Sequence, residues 1–231
     1  MVQFHPVGLT SRRVDRTVLA AVALASHRVG SLLDMDTGLG PDRRPAIAIC
    51  AWDPTFTAWD PVEDLSGAAW DPVGARTLPV PGDTSAEGLA TDLSALLRSG
   101  ECGALLLVGR TVHPGAFRLQ TRAENRGLTG MERVDHTGPG IARATAPAAE
   151  IVRDLTAVGL NAVAASDAEE DAGSYILYRI LNDLPDGPAS PAIGLIRAPS
   201  DAPDAKVQLA VKTAATAIAR HLTPLPRLNV G

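Results

Sequence analysis

The stretch Asp171-Ala172-Gly173-Ser174-Tyr175-Ile176-Leu177-Tyr178-Arg179-Ile180-Leu181 is the best place in the chain for chemistry. Gly173 permits a tight backbone, after which Tyr175, Ile176, Ile180, Leu181 and Leu184 recur at helical spacing. Such a helix start can present a nucleophile or hold an anion, because its free backbone N–H groups and dipole stabilise negative charge. No cysteine stands in the stretch. Of the chain's 2 cysteines, Cys50 lies inside an apolar run, where a thiol reads as a buried structural group, and Cys102 lies in a turn. Just upstream is an acidic run, Ser166-Asp167-Ala168-Glu169-Glu170-Asp171. Carboxylates at a helix N-terminus are favourable in themselves, and Asp is an excellent cap. The competing reading is that one carboxylate, with Asp167 the candidate, faces a pocket as a general base or cation ligand. His113 and His136 are loop residues that read as bystanders, but histidine is the residue type most often recruited for acid–base work.

Hydrophobic periodicity gives the elements that must position these groups. From Pro45 an apolar strand that contains Cys50 is followed by an Asp/Pro-rich loop and a short extended piece near 76–81. Thr84 or Ser85 caps a helix over 85–98, with Leu89, Leu93, Leu96 and Leu97 on its inner face. Residues 104–108 are a second strand. Residues 109–146, rich in Gly, Thr and Arg, are expected as a long excursion of extended and loop structure over the site. Pro147 opens a helix to Val158 that Gly159 closes. A buried strand at 160–164, the 171–184 helix, a strand at 192–196 and a closing helix at 205–221 complete the pattern. This alternation predicts an α/β fold, a three-layer α/β/α sandwich on a mostly parallel twisted sheet. Sites in such sheets lie beyond the carboxyl ends of the strands, where Gly109, Asp167 and Arg197 fall.

Two domains are expected, an N-terminal extension over residues 1–43 and the α/β domain over 44–231. In the extension Val14, Val18, Val22, Ala25, Val29 and Leu32 fall at the steps of an amphipathic helix, suited to packing on the domain or on a second subunit. Arg12, Arg13 and Arg16 ahead of an apolar run also imitate a secretory signal, but Asp15 interrupts the basic region and the run is short.

Several motifs, in order and with compatible spacing over residues 44–222, resemble those of pyrrolidone-carboxylate peptidase (pyroglutamyl peptidase I), a cysteine peptidase family. Ala172-Gly173-Ser174-Tyr175-Ile176 is similar to the family's S-A-G-T-[FY]-V-C-N, which puts Leu177 where the family has its cysteine. Ile47-Ala48-Ile49-Cys50-Ala51-Trp52-Asp53-Pro54 resembles a strand running into G-F-x-P-F-G, and Ala104-Leu105-Leu106-Leu107-Val108-Gly109 one running into V-G-x-A-G-G-R. Val134-Asp135-His136-Thr137-Gly138 is similar to P-D-N-x-G, and Gly194-Leu195-Ile196-Arg197-Ala198-Pro199 to G-F-[IL]-H-[VI]-P, with Arg197 in place of the histidine. Counted without a gap, the family's glutamate falls on Gln120; a gapped alternative is Glu132.

The resemblance implies a phosphorylase/hydrolase-like three-layer fold and a triad replaced throughout, by Leu177, Arg197 and Gln120. A cysteine peptidase needs a thiolate, a base and a group that orients the base. Leucine has no lone pair, arginine stays protonated, and glutamine carries no charge. The resemblance also places Arg110 at a pocket glutamine position and Trp52 at an aromatic pocket wall. Tyr175 and Asp167 complete the candidate ligand-binding set. Arg110 with Arg197 would hold a carboxylate bidentately, or Arg197 would pair with the acidic run. All 3 tryptophans stand in Trp-Asp-Pro triplets, at 52, 59 and 70, which Asp-Pro turn chemistry can account for without a pocket.

At 231 residues and 45% hydrophobic composition, the chain can bury one substantial core. Its net charge of −5 gives no electrostatic case for nucleic acid, and no run approaches the length of a membrane span. The absence of phosphate-loop, metal-ligand and dinucleotide patterns predicts no cofactor and no metal. Expected partners are a small-molecule or peptide-like ligand and, from the resemblance, further copies of the chain, in a cytoplasmic setting. Three functions stay open: a repurposed enzyme that has lost amide hydrolysis and keeps a pocket for a small acidic or amide-bearing molecule, a silent homologue acting as a binding protein, and an active pyroglutamyl peptidase.

Overall fold

The computed structural model describes residues 47–52, 75–77, 84–128, 132–184, 187 and 190–222. The amphipathic pattern of the extension, and Trp59 and Trp70, lie outside them. Among the described residues eight strands and four helices follow one another as β1 (Ile47–Ala51), β2 (Ala75–Thr77), α1 (Ala86–Arg98), β3 (Ala104–Thr111), β4 (Phe117–Gln120), β5 (Arg122–Glu124), β6 (Ile141–Arg143), α2 (Ala148–Ala157), β7 (Ala162–Ala165), α3 (Ala172–Asp183), β8 (Ala192–Pro199) and α4 (Asp204–Leu222).

Six strands form one sheet in the order β2-β1-β3-β8-β4-β7, and β5 and β6 form a separate two-stranded ribbon. β2, β1, β3 and β8 are mutually parallel. β4 is antiparallel to β8 and parallel to β7, so the last two strands run the other way. The expected α/β architecture is present, with a mixed sheet. β4 is the element that periodicity missed: residues 109–146 are not only an excursion over the site, because Phe117–Gln120 enters the sheet next to its central strand.

Strand alternation sorts the core into two layers. Ile47, Ile49, Leu106, Val108, Ile196 and Ala198 project toward one cluster with Ile151 and Leu155 of α2 and Val207, Val211 and Ile218 of α4. Ala48, Cys50, Leu105, Leu107, Ile193 and Leu195 project the opposite way, onto Leu89, Leu93 and Leu97 of α1 and Ile176, Leu177 and Ile180 of α3. β1, β3 and β8 are apolar on both faces, as strands covered on both sides must be.

The caps follow the sequence closely. Ser85 Oγ accepts from Gly88 N at 3.1 Å, and Gly159 after α2 takes φ +82°, the left-handed geometry that glycine adopts without strain. The expected buried strand at 160–164 is corrected: β7 is an edge strand with Val163 40% exposed. An apolar run of small residues satisfies an edge as well as a centre, and periodicity does not separate the two.

Candidate functional site

Asp171 caps α3, its Oδ1 accepting from Ser174 N at 2.9 Å. The same carboxylate receives the guanidinium of Arg197, with Nη2 donating to Oδ1 at 2.7 Å and Nη1 to Oδ2. Arg197 Nη2 also donates to Ser174 Oγ at 3.0 Å, Nε to Gln120 Oε1 at 3.1 Å, and Nη1 to the Arg110 carbonyl at 3.3 Å. Gln120 Nε2 donates to Ser174 Oγ at 3.1 Å and to the Arg122 carbonyl at 2.9 Å. A guanidinium has five N–H donors, and all five are used inside the protein. With Arg197 only 1% exposed, this is a buried charge with a full complement of partners.

Trp52 closes one side. Its ring centroid is 5.7 Å from Arg197 Cζ, within cation–π range. A Cβ on Gly173 would come within 2.2 Å of the ring, and one on Gly109 within 2.4 Å. The indole therefore lies wedged between β3 and the first turn of α3, where only glycines leave room. Its Nε1 is buried with no hydrogen-bond partner among the described residues.

Around this network the acidic segment is tied down at several points. Glu169 Oε1 accepts from Thr111 Oγ1 at 2.5 Å and lies 3.8 Å from both Arg118 Nε and Arg197 Nε. Arg118 Nη2 donates to Asp167 at 2.5 Å, and Arg126 pairs with Glu170 and, at 2.9 Å, with Glu124. Part of this segment borders a cleft of about 310 Å³ at the head of α3, lined among others by Glu124, Arg126, Glu169, Glu170, Asp171 and Tyr175. Its charged lining is thus four carboxylates against one guanidinium.

The structure brings Gln120 and Arg197 into direct contact, whereas Glu132 is exposed in a loop. Leu177 is fully buried in the core against α1 and the sheet and does not line the cleft. Tyr175 lines it; Trp52 does not. The expectation that Arg110 and Arg197 pair around an anion is corrected by the β3–β8 register. Gly109 is opposite Arg197 and Arg110 is opposite Ala198, so the two arginines project from opposite faces of the sheet. Arg110 instead donates to the carbonyls of Pro199, Ser200 and Ala202 and, at 3.4 Å, to Asp204, holding the β8–α4 turn.

Asp167 is likewise engaged away from Arg197. It follows β7, which runs opposite to β8, so the carboxyl-end rule does not carry it to the site; its partner is Arg118, and it is 61% exposed. Ser174 is the network member that the sequence does not single out, whereas Asp171 belongs to the acidic run expected to cap the helix or to pair with Arg197, and it does both. The sign was present, an Asp followed three residues later by a residue whose N–H needs a cap. His113 and His136 are exposed, and neither ring hydrogen-bonds to a described residue. Both cysteines are buried, and desolvation pushes the Cys50 thiol up to about 12, the inert thiol that its sequence context predicts.

Comparison with solved structures places this geometry in a known fold. Pyroglutamyl peptidase I of Bacillus amyloliquefaciens superposes with TM-score 0.66 at 19% identity, covering 78% of this chain and 100% of that one. The chain shares the pyroglutamyl peptidase fold. Pyrrolidone carboxyl peptidase from Thermus thermophilus matches at TM-score 0.59 and 20% identity, over 74% of this chain and 98% of that one. The Thermococcus litoralis enzyme matches at TM-score 0.61 and 16% identity, over 78% and 100%. No family model and no curated protein matches the sequence. Identities at this level establish the fold, and function has to be argued from the site.

Proposed function

We propose that this chain is a non-hydrolytic protein on the pyroglutamyl peptidase fold, which keeps the cleft at the head of α3 for a small molecule and has given up cysteine-peptidase chemistry. The observation that carries the reading is Arg197. At the position where the resemblance puts the base, a permanently protonated group has all five donors engaged by Asp171, Gln120, Ser174 and the Arg110 carbonyl. No proton can be taken up there, and Leu177 offers nothing to attack with. The chain's only thiols, Cys50 and Cys102, are buried.

The cleft's lining also refines the ligand. Four carboxylates around one guanidinium disfavour an acidic molecule, so of the two ligand types that the sequence admits, the amide-bearing one fits better, all the more if it carries an amine. Binding and positioning are then the protein's work, with self-association as homo-oligomers the expected assembly from the resemblance. The test is a pyroglutamyl-arylamide assay on the purified full chain. We expect no turnover above buffer; turnover that falls in Cys50→Ser or Cys102→Ser would establish an active peptidase and overturn the reading.

A further inference from the structure

The β5–β6 ribbon holds a charge arrangement that the cleft does not use. In its antiparallel register Arg122 is directly opposite Arg143, Ala123 opposite Ala142, and Glu124 opposite Ile141. Residues directly opposite in such a pair project to the same face. Ala123 is fully buried in the core cluster that contains residues of α3, and Ala142 packs against that cluster. The other face therefore carries Arg122 and Arg143 side by side, and like charges in this position destabilise a ladder. Neither arginine forms an ion pair with a described carboxylate. Glu124, the nearest on that face, is held 2.9 Å from Arg126.

Both guanidiniums border one cavity of about 340 Å³, together with Thr121, Ile141 and Ser166. Arg122 Nε donates to the Ser166 carbonyl, which anchors that side chain and leaves its two Nη groups for another acceptor. Arg143 makes no hydrogen bond to a described residue, and the Ser166 hydroxyl is likewise open. Two adjacent guanidiniums and a hydroxyl around a cavity match a compact group with several acceptor oxygens and two negative charges. A single carboxylate would leave the pair half neutralised.

We propose that this face of the ribbon is a binding site for a small dianionic oxyanion of the phosphate type, clamped between Arg122 and Arg143 with Ser166 as a third donor. The proposal is independent of what the α3 cleft binds. It is tested on the full chain by thermal unfolding in inorganic phosphate against sodium chloride at equal ionic strength, beside Arg143→Gln. The wild-type midpoint should rise by about 3 °C in phosphate at roughly tenfold over Kd, and not in chloride. Arg143→Gln should unfold slightly above wild type without phosphate, having lost the like-charge opposition, and should not respond to phosphate. Equal shifts in chloride and phosphate, or a phosphate shift that survives Arg143→Gln, would overturn the proposal. O-phosphoserine as a further arm separates the sources: binding tighter than phosphate assigns the site to a phosphomonoester, weaker binding to free phosphate.

Discussion

The head of α3 and the outer face of the β5–β6 ribbon both gather arginines and treat them in opposite ways. Around Arg197 every donor is matched inside the protein, and the charge is sealed from water. On the ribbon, two guanidiniums oppose each other across a ladder with no carboxylate of the described residues paired to either. A matched buried charge is a structural joint, costly to disturb and unable to turn toward a ligand. An unmatched pair at a cavity is free to recruit one. The place where resemblance puts chemistry is therefore the quieter of the two regions.

The largest expected effect breaks the joint. Asp171→Ala leaves Arg197 charged and buried without its carboxylate and removes the α3 cap, so urea unfolding should show a loss of about 3–5 kcal/mol. The double variant Asp171→Ser with Arg197→Met, which keeps a capping oxygen and replaces the cation with apolar volume, should recover most of that loss. If the single and double variants are equally unstable, the bonds between Arg197 and Asp171, which both variants lack, carry the joint, and neither the cap nor the stranded charge does.

Next in size is the indole wedge. Gly173→Ala puts a methyl group about where the Trp52 ring lies, and should cost about 1–3 kcal/mol in unfolding free energy. Trp52→Leu in the same background should relieve much of the strain. Equal destabilisation with and without Trp52 would remove the wedge as the reason for glycine at position 173.

A smaller effect is set by acid. Asp135 accepts from the backbone N–H and hydroxyl of Thr137, both at 2.8 Å, and from Asn182 Nδ2 at 3.0 Å. These bonds, the Thr137 N–H first, hold its carboxyl down to about 2 from an ordinary 3.8. Because the folded value is the lower one, this stabilisation is present above pH 4 and is lost as pH falls from about 4 toward 2. Urea midpoints measured over that range should fall less steeply in Asp135→Asn. The smallest expected signal comes from Cys50, whose thiol should stay unmodified by iodoacetamide at pH 8 in the folded protein and react only on unfolding.

The fold was legible wherever periodicity and caps spoke together. Ser85, Gly159 and the apolar runs of β1, β3 and β8 placed their elements to within a few residues. β4 was not, because Phe117-Arg118-Leu119-Gln120 is only four residues long, follows the turn at Pro114-Gly115 and runs through Thr121 directly into β5. At the site, Gln120 and Arg197 could be singled out by their resemblance to catalytic positions, and they do meet. What sequence could not supply was register. Arg110 looks like a partner for Arg197 until the pairing with Ala198 puts it on the other face, and Asp167 and Asp171 look interchangeable until one is seen to be the cap.

The sheet order also bears on how the protein is made. β8 is the last of the described strands in chain order, yet it lies between β3 and β4. Until residues 192–199 have left the ribosome, the β2-β1-β3 group and the β4-β7 pair have no ladder joining them, and each presents an open inner edge. The sheet closes when its central strand inserts, a late step between distant parts of the chain of the kind that slows folding and exposes strand edges to wrong partners. Arg197 travels on that same strand. Its arrival brings the side chain that locks Asp171, Ser174 and Gln120 together, so closure of the sheet and assembly of the network at the head of α3 are one event, and a nascent chain that stalls before β8 has neither.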